Sequence, residues 1–162
     1  MNEYTEVEQP FLRQLAAQGW TVIDQGSSVP QAAAASLRES FRSWWLPGVF
    51  RDAVRAINRL PDGREWLTDR QLDDLEQQLL RHPRRTLLEA NLAVHELLMK
   101  TQVDVNEATG EVDMVAWLID FQYMERNRFH AINQFRIDTP GGGRGFIIPD
   151  TVPFVNGLPL KK

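Results

Sequence analysis

The chain has no cysteine, which excludes disulfides, thiolate-held zinc and a cysteine nucleophile, and which suits a reducing compartment. It has no apolar run of 18 residues and no secretory leader pattern, so a cytoplasmic protein with no membrane partner is expected. Positive charge is not in surplus either. The 18 Lys and Arg stand against 22 Asp and Glu, a formal net charge of −4 that disfavours a free-standing DNA-coating module. Contact with DNA through a local patch or a larger assembly stays open. The three histidines, His82, His95 and His130, fall at no ligand spacing such as His-x-x-x-His. Gly141-Gly142-Gly143-Arg144-Gly145 lacks the Gly-Lys-Ser/Thr of a phosphate loop, so nucleotide binding there is rejected.

What remains is ordinary globular composition, 43% hydrophobic and 25% charged over 162 residues, enough for one domain with a sizeable core. Thr5-x-x-Glu8 reads as a capping box before a helix carrying Phe11, Leu12 and Leu15, with Pro10 awkward inside it. Trp20 to Asp24 reads as a short strand, and alanine-rich Ala32 to Ser43 as a helix. Further helices are expected from Phe50 to Ile57, after Thr68-x-x-Gln71 with the stripe Leu72, Leu75 and Leu79, and from Arg85 to Lys100. Strands are expected at 103–105, over 112–121, across 129–137 where apolar and polar residues alternate, and on both sides of Pro149-Asp150. Asn156-Gly157 signals a two-residue hairpin. The fold class is α+β, one domain over 1–162, mainly helical to residue 100 and mainly strands over 101–160.

Chemistry has few places to sit. Asp150 follows a proline at a strand entry, a rigid support for a carboxylate on a hard divalent cation, or simply a solvated turn. Glu8 either closes the capping box or offers a second carboxylate. Asp120 ends an expected strand, where it orients a neighbour or faces solvent. Gln134 and Arg136 share the face opposite Phe135, where they meet phosphate oxygens or water. Arg81, Arg84 and Arg85 around His82 form the one dense basic cluster, a solvated helix end in its plainest reading.

Several stretches taken in order carry a resemblance: YTEVEQPFLRQLAAQGW at the start, LRESF at 37–41, LLEAN at 87–91, LIDF at 118–121, NRFHAINQFRI at 127–137 and IPDTVPFVNGLPL at 148–160. Together they resemble the N-terminal region of the R (restriction, HsdR) subunit of type I restriction-modification enzymes. That resemblance implies a PD-(D/E)xK nuclease-like sheet flanked by helices, with Asp150 as catalytic and metal-binding acid, Glu8 as a further metal residue, and Mg²⁺ as cofactor. It also implies ATP in motor domains of the parent protein, and double-stranded DNA with methyltransferase (M) and specificity (S) subunits as partners. The implied activity is cleavage of unmethylated DNA after ATP-driven translocation. In the family NGLPL runs on into a strand bearing Glu-x-Lys, whereas here Lys161-Lys162 follow Leu160. The expectation is therefore a fragment or shortened relic lacking the C-terminal part of the site, weak in Mg²⁺ binding, inactive alone and marginally stable or self-associating. The alternative is a non-catalytic module that docks on the methyltransferase core or the motor domains.

Overall fold

Pro10 has no amide hydrogen, and the first helix widens where that donor is missing. In the computed structural model, which describes residues 2–81, 86–139, 141, 143 and 145–160 (without the side chains of 102 and 104), Tyr4–Glu8 is a π-turn. Gln9 N–H reaches five residues back to Tyr4 O, and α1 (Gln9–Ala17) then continues with regular spacing. The capping box expected at Thr5 and Glu8 does not form. Glu3 is already helical, Thr5 Oγ1 donates to Asn2 O at 3.0 Å, and Glu8 turns into the protein. His82, Arg84, Arg85, Pro140, Gly142, Arg144, Lys161 and Lys162 lie outside the described residues.

The architecture is α+β. Backbone proximity divides the chain into two compact units, Met1–Phe50 with Arg128–Lys162, and Arg51–Asn127. In the first, a four-stranded sheet has the order β1 (Thr21–Ile23), β4 (Phe129–Asn133), β7 (Thr151–Val155), β8 (Leu158–Pro159). β1 runs parallel to β4, and the other neighbours are antiparallel. The alternating strand expected across 129–137 is not one strand. His130 to Asn133 are all buried, because successive side chains point to opposite faces and both faces of this central strand are covered. At Gln134 the backbone turns to φ +47, and Ile137–Asp138 becomes β5, which pairs with β6 (Phe146–Ile147) in a separate ribbon.

The helix expected over 32–43 shrinks to one 3₁₀ turn, Ala33–Ser36, ended by Leu37 at φ +58. Helix propensity is worth only a few tenths of a kcal/mol per residue, and Arg38 decides otherwise. Its buried guanidinium lies 3.6 Å over the Phe135 ring and donates to Ser36 Oγ, Ser43 O and Arg136 O. Burial lowers its pKa to about 10, so it is charged at neutral pH.

The core of this unit gathers Leu46, Ile132, Phe135, Val152 and Phe154, with Ile23, Val49 and Ile137 packed against them. Each buried large side chain contributes roughly 1.5–3 kcal/mol. The expected Asn156-Gly157 hairpin forms, with φ +48 and +77. Gly157 O accepts from Leu46 N–H at 2.9 Å, and a Cβ on Gly157 would lie 2.5 Å from Leu46 O. Only glycine fits there.

The second unit begins within α2 (Pro47–Ile57), a helix that starts three residues earlier than expected, with proline at its first position where no amide is needed. α3 (Asp69–Leu80) opens with the expected Thr68–Gln71 capping box and buries Leu72, Leu75 and Leu79. Arg51 bonds Asp73 and Glu76, and Arg55 bonds Asp69, tying α2 to α3. α4 (Leu87–Met99) is capped by Thr86 and Glu89 but buries no residue. β2 (Thr101–Val105) and β3 (Val112–Ala116) stand at the two expected strands and pair as a hairpin, yet β3 stops well short of Phe121. Asn58 explains the stop: its Oδ1 accepts from Trp117 N–H and its Nδ2 donates to Trp117 O, both at 2.7 Å, so a side chain takes the bonds a longer ladder would use.

Candidate functional site

The turn that breaks β4 places Gln134 between the Glu8 carboxylate and the backbone of Asp150. Gln134 N–H donates to Asp150 O at 2.8 Å, and Phe135 N–H to Pro149 O at 3.0 Å. The Pro-Asp step therefore sits beside the end of β4, with Asn133 in register with Thr151. The Gln134 side chain extends the other way, its Nε2 lying 3.3 and 3.4 Å from the two oxygens of Glu8. One residue thus touches the backbone of Asp150 and the carboxylate of Glu8.

Asn133 fixes the arrangement. Fully buried, it accepts from Gln25 N–H at 2.6 Å and donates to Gly26 O at 2.9 Å and Glu8 Oε2 at 3.3 Å. Gln25 Nε2 returns bonds to Asn133 O and Gln134 O. Tyr4 OH bonds both oxygens of Asp24 and accepts from Gln9 Nε2, which anchors the π-turn to the end of β1. The spacing of Asn133 and Gln25 carried no motif. The signal for Asn133 was its place in the stretch NRFHAINQFRI that carries the resemblance, and Gln25 had none.

Glu8 is buried, yet among the described residues its partners are side-chain amides at 3.3–3.4 Å, and no Lys or Arg meets it. A carboxylate in that position is costly without a cation, and a hard divalent ion ligated by oxygen fits the vacant lone pairs. Asp150 is exposed, and no described side chain bonds its carboxylate. No group of three or more His, Cys, Asp or Glu side chains gathers among the described residues.

Arg136 lies nearby but is largely spoken for. Its Nε pairs with Asp138 at 2.8 Å, its Nη1 reaches Pro30 O at 3.3 Å, and its guanidinium lies between the Phe41 and Phe146 rings at 4.6 and 4.5 Å. Nη2 has no described partner. Asp120 is in a bend rather than at a strand end: its Oδ1 accepts from the Gln122 and Tyr123 amides, a local turn device. His95 is exposed on α4. No helix of the described residues is long and apolar enough to cross a membrane.

Comparison with known proteins shows the family. The family model described as "Type I restriction enzyme R protein N terminus" matches residues 1–161. The chain is 30% identical to the "Type I restriction enzyme HindI endonuclease subunit" of Haemophilus influenzae, over 99% of this chain and 14% of that protein. It is 24% identical to the "Putative type I restriction enzyme MjaIXP endonuclease subunit" of Methanocaldococcus jannaschii, over 99% of this chain and 15% of that one. The chain thus spans about one-seventh of the length of these curated relatives.

Proposed function

The chain belongs to the family of type I restriction enzyme R protein N termini, and from that premise we propose that it supplies part of a Mg²⁺-dependent DNA-cleaving site, with Asp150 and Glu8 as its carboxylate ligands. The observation that carries this reading is the buried Glu8 carboxylate, met among the described residues by long amide contacts and linked through Gln134 to the backbone of Asp150. The bound ion would supply positive charge to the scissile phosphate. The chain's own residues do the rest: Glu8 and Asp150 hold, Asn133 and Gln134 orient, and Arg136 Nη2 faces a DNA phosphate. Asp150 becomes the catalytic acid of a parent subunit that works with M and S subunits and an ATP-driven motor on unmethylated double-stranded DNA.

Two carboxylates offer few oxygens, so binding by this chain is expected in the millimolar range and supercoiled plasmid stays intact. Electron paramagnetic resonance of Mn²⁺ titrated into the chain tests this. Glu8→Gln and Asp150→Ala should each weaken binding about tenfold, equivalent to about 1.4 kcal/mol. Glu8→Gln should leave thermal stability unchanged or higher, because it removes a buried charge. Unchanged Mn²⁺ affinity in both variants would sink the proposal, and so would nicking by the chain that survives Asp150→Ala.

A second reading, a docking module, draws on α4, where Leu87, Leu88 and Leu92 are all largely exposed, Leu88 at 78%. In that reading the helix meets the methyltransferase core or the motor domains. Leu88→Lys should then weaken subunit assembly in ultracentrifugation while sparing Mn²⁺ binding. Assembly indifferent to the substitution would remove this reading.

A further inference from the structure

Trp66, Trp117, Phe121 and Tyr123 line one cavity of about 440 Å³, lying wholly within the unit Arg51–Asn127. None of them stacks on another described ring. Other rings do pair: Trp20 meets Phe129, Trp45 meets both Trp44 and Phe50, and Phe135 meets Phe154. Around the cavity the faces stay open, with Trp117 43%, Phe121 52% and Tyr123 41% exposed.

The rings are held rather than loose. Asn58 bonds the backbone of Trp117 in both directions, Asp120 Oδ1 holds the amides of Gln122 and Tyr123, and Asn127 bonds the backbone of Asp120 in both directions. A site positioned in advance loses little conformational entropy on binding. One wall already shows the contact that a flat ligand would extend: the Arg126 guanidinium lies 4.1 Å over the Tyr123 ring.

Charge narrows the ligand. Arg59 bonds Glu65 and Gly63 O, and Arg126 has Asp120 at 3.7 Å, so the mouth carries no surplus of positive charge for a phosphate backbone. A paired duplex hides its base faces, and this cavity is within the 300–1,000 Å³ typical of small-ligand sites. We propose that the cavity binds a single unstacked nucleobase, presented by an unpaired DNA strand or a free nucleotide, between Trp117, Phe121 and the Arg126–Tyr123 pair. Stacking on open aromatic faces tolerates any base. This goes beyond the metal-site reading and does not depend on Asp150 or Glu8.

The test is binding of fluorescein-labelled deca-thymidylate and of AMP to the chain, read by anisotropy and by tryptophan quenching. Both probes carry the proposed chemistry, and the tighter one identifies the source. Saturable binding is expected, weakened at least tenfold in Tyr123→Ala and in Phe121→Ser. The salt slope should be shallower than about −1.4, the value for two single-strand phosphate contacts. Circular dichroism checks that the variants fold, and Tyr123→Phe, which keeps the ring, should restore binding. Absence of binding by both probes to millimolar concentration, affinity indifferent to both ring deletions, or saturation by a proline-rich peptide alone would each overturn the proposal.

Discussion

The two units spend their polar and aromatic residues differently. In Met1–Phe50 with Arg128–Lys162, aromatic rings pair, and buried amides tie distant segments together: Asn133 holds the turn after β1, and Asn156 Oδ1 holds Arg128 N–H at 2.8 Å. In Arg51–Asn127, hydrophobic side chains are left over. α4 buries no residue, and the exposed rings of Trp117, Phe121 and Tyr123 line a cavity with the buried Trp66 without stacking on each other. Interlocked polar groups hold the segments they join in one arrangement. Open apolar surface costs stability unless something is meant to cover it. Both units tie distant segments through side-chain amides, but α1 of the first buries Leu12 whereas α4 of the second buries nothing.

The comparison breaks first at Gly157, where the interlocked unit has no slack. Gly157→Ala places a Cβ 2.5 Å from Leu46 O and 2.8 Å from Phe50 N, at a φ of +77 that side chains disfavour. Backbone strain and overpacking together should cost about 3–5 kcal/mol. Urea unfolding would show this as a large fall in midpoint, and a midpoint within experimental error of the parent would refute the close-packing account.

A smaller effect sharpens the contrast between two similar sequence signals. Thr68→Ala removes a cap that the structure uses, at a cost of about 1 kcal/mol. Thr5→Ala removes a hydroxyl that only donates to Asn2 O near the chain start, and should change stability by no more than about 0.3 kcal/mol. Thermal melts of the two variants decide it. Equal losses would mean that the first turn is capped after all.

The smallest expected effect concerns His130, buried on β4. Burial, with the nearby Arg128 charge, lowers its pKa below the ordinary 6.5. The unfolded chain therefore takes up the proton first as the medium becomes acidic, and stability falls as pH drops through about 6.5. Above that pH the histidine is neutral in both states and contributes no pH dependence. His130→Asn should flatten the stability profile between pH 7 and 5. A profile as steep as the parent's would assign the acid sensitivity to other groups.

Much was legible in advance because it depends on neighbours in sequence. The Thr68–Gln71 cap, the α3 leucine stripe, the strands β2 and β3 and the Asn156-Gly157 turn each rest on local rules, and each appears where the residues indicate. Local rules misled where a distant partner outbid them. Ala32 to Ser43 loses its helix to Arg38, whose bonds reach Arg136. The strand through Phe121 loses its end to Asn58, and Glu8 leaves its cap for Asn133 and Gln134.

By itself the sequence determined the α+β class, the family and the acids worth watching, since composition, periodicity and ordered motifs are properties of the chain read in line. Only tertiary structure decided that Gln134 joins Glu8 to Asp150 and that four rings share one cavity. Those relations join Glu8 to Gln134 across 126 positions and Trp66 to Tyr123 across nearly 60. A buried carboxylate or an open ring acquires its partner only when folding removes water from between distant segments.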